Sequence, residues 1–297
     1  SSKTIGVIVP YLYDPFFATC AHAISSVARK HEYSVILTTS DETPELERQQ
    51  ADLMLRRQVD GIIAIPVAGN EQSYFEEAFA RMPVVTLDRP APSPRFDAVL
   101  IPNRTGARTV VEHLIGHGHK RIAFFGLNRT LYTMKARYAG YRDAMAAAGH
   151  QAEAYLDCES AEKTTELVQA MLQRKRPPTA LFPANNLTMR YVLHALSVLG
   201  IEVPGQIALV GFDDFELADV LHPSLTVLRQ PVYQMGETAA NLLFQRIRGE
   251  GAAAAAQHIV LPVELVVRRS CGCRLRGSHG VKGSAAPLEE ETALFEV

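Results

Sequence analysis

Aromatic and planar polar side chains gather at a few separated points of this chain. Tyr11-Leu12-Tyr13-Asp14-Pro15-Phe16-Phe17 is the densest; Asp88-Arg89, Asn185, Phe212-Asp213-Asp214 and Gln230 are the others. Such a mixture suits a polyhydroxylated ring. Flat rings cover its apolar C–H faces, while Asp, Asn, Arg and Gln bridge neighbouring hydroxyls through paired, partly charge-assisted hydrogen bonds. Each residue alone has a plainer reading, since Phe17 falls on an apolar helical stripe and Asp213 could simply cap a turn. Each point, however, follows directly on a short apolar run, and that shared placement points to a binding site.

Signatures of other chemistries are missing. No glycine loop ends in Lys-Ser or Lys-Thr, no His-Glu pair has zinc-protease spacing, and no nucleophile elbow occurs. Gly116-His117-Gly118 lacks the third glycine of a dinucleotide loop and precedes a strand instead of following one, so it reads as a helix-to-strand turn. Cys271-Gly272-Cys273 could ligate a metal, yet only His279 is near in sequence and four ligands are the rule. Free thiols at the end of a strand are therefore expected, with no metal and no cofactor. An enzyme is not expected, because no nucleophile and base pair can be named.

The elements that must position these residues follow one beat. Short, nearly all-apolar runs (Ile5 to Val9, Ser34 to Thr38, Gly61 to Ile65, Val84 to Leu87, Ala98 to Ile101) alternate with segments of helical period. The second half repeats it, with strands Arg121 to Phe125, Ala154 to Leu156, Thr179 to Phe182, Ile207 to Val210 and Leu225 to Leu228. Helices are expected near 135–148, 162–175, 187–199 and after Pro231. Ile259 to Val267 reads as a last strand. This pattern predicts an α/β fold of two doubly wound parallel-sheet lobes, and open sheets of this kind bind ligands beyond the carboxyl ends of their strands.

Composition narrows the class further. A chain of 297 residues suits two lobes, and 47% hydrophobic against 21% charged residues is a globular balance. The net charge of −2 gives no basic field to hold a phosphate backbone. No apolar run reaches the roughly 18 to 20 residues of a membrane span. The opening SSKTIGVIVP lacks an export signal and the four cysteines are sparse, so a reducing cytoplasm is expected, unless a signal has been trimmed from an exported protein.

Several stretches resemble the effector-binding core of the lactose-repressor/galactose-repressor family of bacterial transcription regulators. They are Leu199-Gly200-Ile201-Glu202-Val203-Pro204, Ile207-Ala208-Leu209-Val210-Gly211-Phe212-Asp213-Asp214, Pro223 to Val227, Arg229-Gln230-Pro231 with Met235-Gly236, and Arg137-Tyr138-Ala139-Gly140-Tyr141. Val59 to Ile63, Pro83 to Arg89 and Gly118 to Ala123 extend the likeness from Thr4 to Gly272.

That resemblance implies the fold of periplasmic sugar-binding proteins: two lobes joined by three crossovers and closing on a ligand between them. The expected lobes are residues 1–103 plus 232–258 and residues 104–231 plus 259–273, with a disordered tail over 274–297. It also implies that Phe16 and Phe17 stack on the ligand beside Asp14, where an Asn is common. Asp88, Arg89, Arg137, Asn185, Asp213 and Gln230 would supply the hydrogen bonds, with Phe212 as a further wall. The function implied is sensing of a small sugar-like effector by a homodimer. Operator DNA would be reached only through an N-terminal helix-turn-helix head that this chain lacks, since Ser1 stands just ahead of the first strand. The alternative is a free-standing sugar-binding protein of a transport system.

Overall fold

The computed structural model describes residues 2–67, 82–127, 130–250 and 255–273. The chain divides into two compact units, the first comprising residues 1–101, 130–133 and 231–261, the second residues 102–129, 134–230 and 262–297. The expected tail, and most of the alanine run after Gly251, lie outside the described residues.

In the first unit, β1 (Thr4–Val9), β2 (Ser34–Thr39), β3 (Ile62–Ala64), β4 (Val84–Leu87), β5 (Asp97–Leu100) and β11 (His258–Val260) form one sheet, ordered β11-β5-β4-β3-β1-β2. Its described helices are α1 (Pro15–Lys30), α2 (Pro44–Arg56) and α7 (Val232–Ile247). The second unit repeats the plan with β6 (Ile122–Phe125), β7 (Glu153–Tyr155), β8 (Ala180–Pro183), β9 (Ala208–Phe212), β10 (Thr226–Arg229) and β12 (Glu264–Val266), ordered β12-β10-β9-β8-β6-β7. Its helices are α3 (Asn103–Gly116), α4 (Tyr132–Ala147), α5 (Ala161–Leu172) and α6 (Asn186–Val198). The two orders match strand for strand, so β4 corresponds to β9 and β5 to β10.

Burial explains why the central strands are apolar throughout. Every residue of β3, β4, β6, β8 and β9 is buried, as expected of parallel strands covered on both faces. Ile8, Ile62, Ala64 and Val84 meet Ala51 and Met54 of α2 in the first core. In the second, Ala123, Phe125, Leu181 and Leu209 meet Val168 and Met171 of α5 and Met189 and Val192 of α6. Pro44 at the first position of α2, with Glu45 and Glu47 in its first turn, suits the start of that helix.

One expected element divides. The apolar run Ile259 to Val267 contains Pro262, which has no N–H to give a ladder. The run therefore splits into β11, parallel to β5, and β12, antiparallel to β10, in different sheets. Ile259 to Leu261 consequently belong to the first unit and not to the second, with Leu261 N–H donating to Leu100 O at 2.8 Å.

Helix α4 is seated unusually close to α3. A Cβ at Gly140 would lie 2.0 Å from the Arg104 carbonyl oxygen, so only glycine fits there. One residue on, the buried Tyr141 hydroxyl donates to Ile122 O at 2.8 Å and accepts from the Glu153 N–H at 2.7 Å, pinning α4 to β6 and β7.

Candidate functional site

In the second unit the carboxyl ends of β8, β9 and β10 bring polar side chains together. Asp213, directly after β9, has φ of 78°, and its counterpart Asp88, directly after β4, has φ of 66°. Left-handed backbone is uncommon outside glycine and is best tolerated by Asn and Asp. A strained residue of this kind costs about 1 to 3 kcal/mol, and such residues cluster at functional sites. Here two carboxylates occupy equivalent positions of two sheets, each turned at a strand end.

Asp213 is densely contacted. Gln230 donates its Nε2 to Asp213 Oδ1, the Asn186 N–H reaches Oδ2 at 3.3 Å, and Arg137 Nη1 stands 3.8 Å from Oδ2. Arg137 in turn donates through Nε to Asn103 Oδ1 at 2.8 Å and through Nη1 to the Ala184 carbonyl at 2.7 Å. Its guanidinium carbon lies 3.6 Å from the centroid of the Phe212 ring, a cation–π arrangement. Gln230 Oε1 is buried with no hydrogen-bond partner among the described residues. A buried acceptor left unmatched costs about 1 to 3 kcal/mol, and a ligand hydroxyl in donor orientation would relieve it.

Two helix starts position this cluster. Asn103 opens α3 and Asn185 caps α6. Asn185 Oδ1 accepts from the Thr188 N–H at 2.9 Å and its hydroxyl at 2.8 Å, closing a capping box.

In the first unit Asp14 caps α1, its Oδ1 accepting from the Phe16 N–H at 3.0 Å. Phe16 and Phe17 are buried and meet edge to face, with ring centroids 5.2 Å apart, and Tyr11 stacks on Tyr13 at 4.3 Å. Arg89 donates Nη1 to Glu42 Oε2 at 2.8 Å and to Pro66 O at 3.0 Å, and Nη2 to Glu42 Oε1 at 2.6 Å. Burial opposes the charge of Arg89, but Glu42 more than offsets it and holds the guanidinium pKa above its usual range. Burial also raises the Tyr11 phenol pKa, with Glu42 adding to the effect.

The sequence expectations are thus partly redistributed. Arg137, Asp213 and Gln230 come together. Phe212 is fully buried with Arg137 over its ring, so it backs the guanidinium and does not present a wall. Asn185 spends its side-chain oxygen on a helix cap. Arg89 braces the segment after β2 by giving both terminal nitrogens to Glu42 and one of them also to Pro66 O. Asn103 and Asn186 were not foreseen; Asn103 is 34 positions from Arg137 and no local signal joins them. The Cys271-Gly272-Cys273 thiols are unbridged. The ligand shortage inferred for them does not hold, because His113 stands beside them in the fold.

Comparison with known proteins adds the following. The periplasmic binding protein-like domain matches residues 111–271. The HTH-type transcriptional repressor PurR of Aliivibrio fischeri (strain MJ11) is 29% identical over 255 residues, covering 84% of this chain and 75% of the repressor. A Burkholderia thailandensis structure assigned to ribose operon repressors superposes with a TM-score of 0.80 at 31% identity, covering 90% of this chain and 99% of that one. A LacI family transcriptional regulator from Enterococcus faecium, solved with bound ribose, gives a TM-score of 0.80 at 25% identity, covering 90% and 98%.

Proposed function

Because this chain belongs to the periplasmic binding protein-like family, as the ligand-sensing core of a regulator of the lactose-repressor/galactose-repressor type, we propose that its effector is a small polyhydroxylated molecule, a sugar. The observation carrying this reading is Gln230: a buried amide that spends its nitrogen on Asp213 while its oxygen has no hydrogen-bond partner among the described residues, at the carboxyl end of a parallel sheet. Carboxylate, guanidinium and amide side by side match the alternating donors and acceptors of neighbouring hydroxyls. Asp14, Phe16, Phe17 and Asp88 of the first unit are proposed as effector contacts as well, and Arg89 as their support. The bound ribose of the Enterococcus faecium regulator fits this class of ligand.

The reading includes a cytoplasmic homodimer that binds without turning over its ligand and controls operator DNA through a helix-turn-helix head. No described helix is long and apolar enough to cross a membrane. The matched proteins are regulators, which disfavours the transport alternative. Regulation follows from linkage: an effector shifts a conformational equilibrium only by its difference in affinity for the two states.

A thermal-shift panel of monosaccharides, disaccharides and nucleosides tests the proposal. A cognate ligand at about 100 times its Kd stabilises the native state by about 2.7 kcal/mol. Gln230→Ala should then weaken that ligand about tenfold, the loss of one good hydrogen bond. Absence of any shift across the sugars, or unchanged affinity in Gln230→Ala, overturns it.

Phe16→Leu separates ring stacking from core filling, since leucine keeps an apolar side chain in the buried position. Effector affinity is expected to fall by about 1 to 2 kcal/mol while the unliganded melting temperature moves little. Calorimetric titration with a parallel melt reads both quantities, and unaltered affinity would assign Phe16 to the core.

A further inference from the structure

We propose that His113, His117, Cys271 and Cys273 form a binding site for a thiophilic divalent cation, zinc in the first place. The four residues come from two places 160 positions apart that the fold brings together within the second unit. His113 lies in the last turn of α3, and His117 follows four residues later as its cap. Residues so spaced project from one face of a helix. Cys271 and Cys273 flank Gly272, whose φ of 79° turns the backbone after β12.

Three of the four ligand atoms converge on one point, and His117 reaches that group through Cys273. Ligand atoms of His113, Cys271 and Cys273 all lie within 4.8 Å of one another. Cys273 Sγ is 3.4 Å from His113 Nε2, 3.0 Å from His117 Nε2 and 2.7 Å from Cys271 Sγ. Zinc bonds of about 2.3 Å to sulfur and about 2.0 Å to nitrogen in a tetrahedron set ligand atoms about 3.3 to 3.8 Å apart. The trio therefore accommodates the ion once the two sulfurs part by about 1 Å, and His117 completes the tetrahedron by a side-chain movement from the exposed rim.

The surroundings also suit ligation. His117 Nδ1 lies 2.7 Å from the His113 carbonyl oxygen, which can only accept, so Nδ1 carries the proton and Nε2 keeps its lone pair towards Cys273. A histidine ligand oriented through its other nitrogen is the usual arrangement around zinc. Thr226 Oγ1 accepts from the Arg268 N–H at 2.8 Å, which directs its own proton to Cys271 Sγ at 3.2 Å, a contact that favours a thiolate. On metal binding the two thiols release their protons to solvent. Cys271 is buried, His113 and Cys273 are half-buried and His117 is exposed, so the ion has a route in from the surface. Two thiolates with two imidazoles select zinc over the oxygen-seeking cations. Bound there, the ion would staple the segment after β12 to the carboxyl end of α3.

The test uses the full chain, reduced with a phosphine and stripped with a chelator. Zinc titration followed by elemental analysis should return one ion per chain. Cobalt(II) in its place should give thiolate-to-metal charge transfer in the near ultraviolet and the intense visible bands of a tetrahedral site. Cys273→Ser should weaken zinc by roughly 100-fold or more and His117→Gln by roughly 10-fold or more. His117 is exposed at a helix end, so its variant keeps the fold and isolates ligation from stability. Zinc should shield Cys271 and Cys273 from alkylation. Substoichiometric zinc, a cobalt spectrum without thiolate bands, or wild-type affinity in both variants overturns the proposal.

Discussion

Arg137→Ala is expected to lower the stability of the unliganded protein by about 3 to 5 kcal/mol and to reduce effector affinity by at least about tenfold. Arg137 and Asp213 are both buried, and the substitution removes a cation 3.8 Å from the carboxylate. Asn103 Oδ1 and Ala184 O lose a donor in the same step. Stability alone would not distinguish a brace from a binding residue, so Asp213→Asn is the companion variant. Asparagine tolerates the left-handed backbone at φ 78° that alanine would resist. It removes the charge without emptying the space. Asp213→Asn is expected to melt below the parent protein, because its amide NH2 must face one of the two donors the carboxylate now accepts from and the buried Arg137 loses the anion 3.8 Å away. It is also expected to lose effector affinity by about tenfold or more, one charge-assisted hydrogen bond being worth about 1.5 to 3 kcal/mol. Calorimetric titration of Asp213→Asn and of Arg137→Lys decides the matter. Parent affinity in both would show that the pair braces the second unit and binds nothing.

The second large effect is expected at Gly140. An added methyl group would sit 2.0 Å from the Arg104 carbonyl oxygen and 3.1 Å from the Arg108 nitrogen, both backbone atoms that no rotamer change can move. Helices α3 and α4 would have to separate by about 1 Å, and overpacking of this kind costs about 3 kcal/mol or more when backbone must yield. The same shift would draw Arg137, three residues earlier on α4, away from Asn103 at the start of α3. Gly140→Ala should therefore lose effector affinity as well as stability. Gly116→Ala is the matched control: beyond its chain neighbours and its own helical turn, no described atom lies within 4 Å of its added Cβ. Alanine there should leave stability unchanged or raise it by up to about 1 kcal/mol. Urea unfolding of both proteins reads the contrast, and similar midpoints would mean that the α3–α4 approach is softer than its distances indicate.

The stretch Arg137-Tyr138-Ala139-Gly140-Tyr141 thereby acquires a physical meaning. Arg137 reaches the β9 end, Gly140 permits the approach that lets it do so, and Tyr141 ties the helix to β6 and β7. From the linear chain these appear only as a familiar string.

What could be read in advance depended on range. Runs such as Val84 to Leu87 and Ile122 to Phe125 are legible because a strand buried on both faces has no polar alternation to confuse it. The division of Ile259 to Val267 was signalled by Pro262, but its apolar residues obscured the break. Strand ends located Asp213 and Gln230 correctly as neighbours. Phe212 was misjudged because it is the last residue of β9, and its side chain turns into the buried layer beneath Arg137. Partners joined only by the fold, such as Asn103 with Arg137 or His113 with Cys273, leave no mark in local composition.

Neither unit is a continuous stretch of chain, and this bears on the order in which the protein can be made. The first unit lacks α7 and its edge strand β11 until residue 260 has been synthesised, and the second lacks β12 until residue 266. A nascent chain halted at residue 230 would hold the described strands β1 to β10 but lack β11 beside β5 and β12 beside β10. Unpaired strand edges are templates for pairing with another molecule. Closure of β5 by β11 spans about 160 residues, a long loop whose entropy must be lost before the contact stabilises anything. Completion of both sheets therefore waits until residues 258–266 have left the ribosome, and chains truncated before them are the species most exposed to aggregation.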